Sequence, residues 1–370
     1  MKRTHLLLTA LLLSVAPVFG QQPDPSIEDL RPEQLRIDNL KIEDLPIGSV
    51  PTPAEMQNDA LSVSEDVLGP RLPRDDAYGA FQRGYFLTAL SLALPRAEKN
   101  DAAAQTLIAE IYARGLGVGE NLAQASGWYA LASRNGDKLA TFELALLYQD
   151  GRGVPKNRAK AAELFQKSAD LGCIPAKYNL ALLYIEGVYV KPDLTKAASL
   201  IKEAAEAGLP EAQYDYATML MDGAGVAPNL QLAAEMVGKA AEQGLTSAQV
   251  EYATMLYLGR GVPRDLEGAV RWYRRAADAG NAVAQNRYAK LLAVGEGVEL
   301  DLEEAAMWRS LARRQGLNDP TLDRLLVSIK SDELTRAEER ARFWPFDTPS
   351  ASTVATLQPP LPETPGKQVP

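Results

Sequence analysis

The chain has 370 residues, with 48 acidic against 39 basic side chains and a formal charge of −9. That balance disfavours nucleic acid and anionic membrane as partners. Its one histidine is His5 and its one cysteine is Cys173, so beyond the leader described next no Ser-His-Asp triad, Cys-His pair, His-bearing zinc site or intramolecular disulfide is available.

Residues 1–20 open with Lys2 and Arg3, continue through an apolar run from Leu6 to Phe19 and close on Gly20. That is the layout of a secretory signal peptide, too short in its apolar part for a comfortable membrane span. Cleavage after Gly20 is expected, with the mature chain, charge −11 without Lys2 and Arg3, most simply periplasmic and not inserted in the membrane. Residues 21–75 are acidic and proline-rich without a helical period, and read as a linker expected to be disordered. Inside it runs a five-residue echo, Leu35-x-Ile37, Leu40-x-Ile42 and Leu45-x-Ile47, which leaves open a segment that docks in extended form. Residues 76–101 read as an N-terminal helical cap, because Ala89, Leu92, Ala93 and Ala97 stand 36 residues before Ala125, Trp128, Tyr129 and Ser133.

From there a tandem array governs the chain. Alanine recurs every 36 residues at Ala104, Ala140, Ala176, Ala212, Ala248 and Ala284. Glycine follows in phase from Gly115 to Gly295 and again from Gly136 to Gly316, and a second alanine row runs from Ala125 to Ala305. Each unit reads as two helices. Ile108, Ile111 and Tyr112 follow Ala104 at helical spacing, Gly115 supplies a left-handed stop, and Asn121, Asn157, Asp193, Asn229, Asp265 and Asp301 share one phase as N-caps of the second helix. The Gly-x-Gly-Val between them lacks a preceding strand and a following Lys-Ser/Thr, so it is a helix–helix turn rather than a phosphate loop. In the third copy Tyr189 replaces the second glycine, and a distorted turn is expected there. Cys173 reads as a packed small hydrophobe.

The stretch Ala-Gln-Tyr-x-Tyr-Ala-x-x-Leu-x-x-Gly-x-Gly-Val, Ala212 to Val226, resembles the Sel-1-like repeat family, as does Asp-x-x-x-Ala-x-x-Trp-Tyr-x-x-Ala-Ala-x-x-Gly, Asp265 to Gly280. This family is related to the tetratricopeptide repeat. The resemblance spans residues 102–319 and implies an all-α, right-handed α-solenoid of six 36-residue helix-turn-helix repeats with helical caps. It implies protein–protein scaffolding, not a reaction or a cofactor. Some extracellular members staple each hairpin with a cysteine pair; this chain lacks those, so properties of that branch do not transfer.

Beyond the array, residues 320–344 read as a C-terminal cap of two helices, Thr321–Lys330 and Arg336–Trp344, the second opened by a Thr335–Glu338 capping box and stopped by Pro345. Residues 345–370 are proline-rich and expected to be disordered.

With the repeat alanine as position 1, unrolling the first helix puts core positions 1, 5, 8, 9 and 12 near roughly 120° and positions 3, 7 and 10 near roughly 310°. In related solenoids that second face lines the groove. Here it carries Phe142 and Leu146, then Tyr178, Leu182 and Ile185, then Tyr214 and Met221, then Val250 and Tyr257, edged by Asp150, Glu186 and Asp222. An exposed apolar stripe marks an interaction site; packing between neighbouring helices is the competing reading. Trp128, Trp272 and Trp308 fall on second-helix core stripes. The expected role is a non-catalytic periplasmic scaffold for a protein partner, with a membrane sensor or an envelope enzyme as the class the resemblance implies. The alternatives are a carbohydrate or cell-wall-binding module and a carboxylate-based glycan hydrolase, which would need two carboxylates facing each other in unequal surroundings.

Overall fold

A computed structural model describes residues 75–346. The leader and its cleavage site, the 21–74 stretch and the tail from 347 onward lie outside the described residues. The described residues fall in two compact units, divided between Leu164 and Phe165, and among them secondary structure is entirely helical.

The N-terminal cap is α1 (Asp76–Gln82) and α2 (Phe86–Ala97). The six repeats follow as α3 (Ala102–Arg114) and α4 (Leu122–Arg134), α5 (Lys138–Asp150) and α6 (Arg158–Asp170), α7 (Ile174–Glu186) and α8 (Leu194–Glu206), α9 (Pro210–Asp222) and α10 (Leu230–Glu242), α11 (Thr246–Leu258) and α12 (Leu266–Asp278), α13 (Ala282–Val294) and α14 (Leu302–Arg314). α15 (Pro320–Leu325), a short 3₁₀ turn (Leu326–Ser328) and α16 (Ser331–Phe343) close the array. The fold is the expected α-solenoid architecture.

The signals that delimit the helices act as read. Each second helix takes its phase-locked Asn or Asp as N-cap, from Asn121 accepting the Gln124 N–H at 3.0 Å to Asp301 accepting that of Glu304 at 2.8 Å. The first helices end on glycines in the left-handed region, as at Gly223, φ 71°. The second turn glycine is needed for a further reason. Gly225 also has positive φ, and a Cβ there would collide with the Leu194 carbonyl at the start of the preceding repeat's second helix. Tyr189 in the third copy lacks that backbone conformation, Asn100 being the one non-glycine of positive φ among the described residues.

Three features escaped the periodicity. Asp101, Asp137 and Asn281 cap first helices, accepting from Ala104, Ala140 and Ala284 at 3.1, 2.9 and 2.9 Å. A third alanine row at position 6, Ala109 to Ala289, is fully buried in every copy, and the glutamine at position 2 is buried in four copies, Gln105, Gln213, Gln249 and Gln285. The buried arc of the first helix is therefore wider than one stripe, because it packs on its own second helix and on the preceding one. Each glutamine donates to a carbonyl in the last turn of the preceding second helix, Ala97, Ala205, Ala241 or Ala277, at 2.9–3.2 Å. Each of those carbonyls already accepts one turn N–H, as Ala205 does from Gly208 at 3.0 Å, so the glutamine fills its second lone pair and sets the register between repeats.

The C-terminal cap departs from expectation. α16 begins at Ser331, and Thr335 lies inside it, bonded to the Ser331 carbonyl at 2.9 Å. The helix start is set instead by Glu333, whose carboxylate accepts the Lys330 backbone N–H at 3.4 Å. The acids of the true first turn, Asp332 and Glu333, outcompete the later Thr-x-x-Glu pattern because they meet the exposed N–H groups directly. The first cap helix is shorter than predicted and finishes as a 3₁₀ turn. α16 buries only Ala337 and Ala341 and turns charged residues outward, as an end unit requires. Arg309 on α14, 4 % exposed, pairs with Asp323 through both oxygens at 2.7 and 3.0 Å and donates to the Leu317 carbonyl, tying α15 down.

Candidate functional site

The candidate face consists of positions 3, 7 and 10 of the first helices. All nine apolar residues expected there, Phe142, Leu146, Tyr178, Leu182, Ile185, Tyr214, Met221, Val250 and Tyr257, are half-buried, neither core nor freely solvated. Asp150, Glu186 and Asp222 are exposed at its edge. Trp128 and Trp308 are core residues, 2 % and 3 % exposed. Trp272 is half-buried, edge-on to Tyr252 at 5.7 Å between centroids and covered by Arg275.

In the first unit, Phe142 and Leu146 on α5 stand beside Glu143. Burial, together with the Glu110 carboxylate on α3, raises the Glu143 pKa above the ordinary value. Glu110 accepts from the Tyr129 hydroxyl at 2.7 Å and pairs with Arg114 at 2.5 Å.

In the second unit the face is built from α7, α9 and α11. The Tyr178 hydroxyl donates to Asp215 Oδ2 at 2.8 Å across neighbouring repeats. Burial and then Asp215 raise the Tyr178 pKa; burial, Glu251 and Asp215 do the same at Tyr214. Asp215 is itself raised, first by burial and then by Glu211, against the hydrogen bond from Tyr178. Tyr178, Tyr214, Asp215, Glu211 and Glu251 thus share one surrounding. Further along, Tyr257 donates to Glu296 at 2.8 Å, and Arg264 joins the same carboxylate at 3.1 Å. Arg287 on α13 reaches Thr254 and the Tyr273 hydroxyl.

Asp215 and Glu251 are the site residues that periodicity missed. They stand at position 4, and an apolar pattern search passes over them. The signal was available in the acids following Tyr214 and Val250.

The Sel1 repeat model matches residues 102–137, 138–173, 174–209, 210–245, 246–281 and 282–317, more than half of the chain. The chain belongs to the Sel1 repeat family. This Sel1-repeat protein is similar in structure to the protective antigen c5321 of uropathogenic Escherichia coli, which displays the same repeat fold, with 28% identity and a TM-score of 0.60 over 68% of this chain and 56% of that one. It thus spans little more than half of the Escherichia coli protein. It is also similar to a Sel1 repeat protein of Oxalobacter formigenes, with 26% identity and a TM-score of 0.58 over 65% of this chain and 98% of that one. No curated protein matches the sequence. Sel1-repeat proteins are generally protein–protein interaction scaffolds and typically non-catalytic.

Proposed function

We propose that this protein is a non-catalytic periplasmic scaffold that holds a segment of a partner protein on the position 3, 7 and 10 face of its first helices. The observation that carries the reading is the half-burial of Tyr178, Leu182, Ile185, Tyr214 and Met221 on the second unit's face. Apolar and aromatic side chains left half-covered in one register are suited to burying a further chain. The leader-like residues 1–20 support export, and an envelope protein, whether a sensor or a cell-wall enzyme, is then the class of partner within reach. N-terminal sequencing of exported protein tests the compartment: mature chains should begin at Gln21, and an intact Met1 refutes export with cleavage.

The face is tested by replacing Tyr178 and Tyr214 with Ser. Partner capture should weaken by about tenfold or more, since aromatic anchors commonly carry over about 1 kcal/mol each, while helix content is kept. A marked loss of melting temperature with unchanged capture would assign these tyrosines to packing between repeats and overturn the reading.

A further inference from the structure

Three acids on the α9 and α11 part of the second unit's face lack the counter-ions that some other acids of the unit have. Glu203 pairs with Lys177 at 2.5 Å, Glu296 with Arg264 at 3.1 Å and Glu303 with Arg336 at 2.7 Å. Asp215 and Glu251 are half-buried, Glu211 is exposed beside them, and none of the three forms an ion pair among the described residues. Partly desolvated carboxylates with no cation are costly to hold. Asp215 accepts from the Tyr178 hydroxyl, and the half-buried rings of Tyr178 and Tyr214 on the same face are surfaces that themselves attract cations.

The last repeat shows the complementary case. Its positions 3 and 7 are Asn286 and Lys290, and both bind Asp319 of the chain's own cap, at 2.6 and 2.5 Å. The same face of the same helix type, with its polarity reversed, thus holds an acidic residue from a segment outside the array.

We propose that the α7, α9 and α11 face, with Tyr178, Tyr214 and Val250 flanking Asp215 and Glu251, docks a partner segment in which lysine or arginine is interspersed with apolar residues. A basic side chain seated at Asp215 and Glu251 supplies the missing counter-charge. Apolar neighbours cover Tyr178, Leu182 and Tyr214. An acidic segment, like the Asp319 turn, is repelled here. This inference rests on the face being the partner site and adds the chemistry of the partner.

The test selects random linear peptides displayed on phage against the folded protein, with the Tyr178→Ser, Tyr214→Ser variant as counter-selection. Peptides that depend on the face should be enriched in lysine or arginine beside apolar residues. Made synthetically, they should bind about tenfold more weakly to an Asp215→Asn, Glu251→Gln variant, and more weakly as salt rises. Circular dichroism establishes that the variants keep their helix content. Face-dependent peptides without basic residues, or unchanged binding to the Asp215→Asn, Glu251→Gln variant, would overturn the inference and leave the scaffold reading standing. Absence of any face-dependent peptide would remove both.

Discussion

Gln243 Nε2 donates to Gln213 Oε1 at 2.8 Å, and one repeat later the same relationship is broken, because Ala279 stands in the phase of Gln243 and leaves Gln249 Oε1 buried without a donor. The clamp is complete in two other copies, where Asn135 donates to Gln105 at 2.9 Å and Gln315 to Gln285 at 3.0 Å. A buried acceptor without a donor costs about 1–3 kcal/mol, so the fifth repeat carries a local weakness that a single side chain repairs.

Ala279→Gln should therefore stabilise the protein by about 0.5–1 kcal/mol. Ala279 has φ −76° and ψ 5°, close to the −75° and 0° of Gln243, so the new side chain needs no backbone change. Urea unfolding measures it. A midpoint at or below that of the parent would show that Gln249 Oε1 has no need of this donor.

Two glycines of positive φ separate backbone conformation from close approach. Gly225→Ala brings a methyl group into the Leu194 carbonyl, whereas a Cβ on Gly244 meets nothing within 4 Å. The Gly244 change should cost about 1 kcal/mol, from the left-handed conformation alone. The Gly225 change should cost more, by a further 1–3 kcal/mol or about that. Equal shifts in thermal midpoint would mean that the turn yields instead of holding the repeats in contact.

The cap offers a test of burial against exposure in ion pairs. Asp323→Ala leaves the Arg309 guanidinium, 4 % exposed, without its bidentate partner. The loss should be about 1–2 kcal/mol, because Arg309 is left buried while Asp323 is itself 45 % exposed and the bond to the Leu317 carbonyl remains. Glu206→Ala removes an exposed pair with Lys202 at 3.6 Å and should cost at most about 0.5 kcal/mol. Hydrogen exchange should place the first loss in residues 317–328, and uniform loosening of the array would contradict this.

Asp215 predicts a pH signature. Its folded-state pKa is raised, chiefly by burial, so the native state binds this proton more tightly than the unfolded chain, and the ionised form works against folding. Asp215→Asn should raise the melting temperature at neutral pH. The gain should fade as pH falls through the carboxylate range, where the parent carboxyl is neutral. Asp319 has the opposite sign: burial opposes its charge, but hydrogen bonds from Lys290 and Asn286 outweigh that and hold its pKa near about 2. Its stabilisation is present above the ordinary value of 3.8 and is lost as pH falls through about 2. A pH-independent gain for Asp215→Asn would place that carboxylate in solvent.

The sequence by itself determined the repeat length, the glycine stops of the first helices and the Asn/Asp caps of the second helices. Each is a contact between residues a few positions apart, so a single unit contains all that is needed. It misplaced the start of α16, where two acids in the first turn competed with a later Thr-x-x-Glu of equal pattern strength. The tertiary structure alone decided what depends on the neighbouring repeat. It buried the position 6 alanines, joined Gln213 to Ala205 and Gln243, and left Gln249 unmatched. It also half-covered the apolar residues of the candidate face and joined Asp215 to the Tyr178 hydroxyl without a cation. The period names which side chains share a face, but how far that face is covered depends on the distance between adjacent helices, which is set by side chains 30 or more residues away.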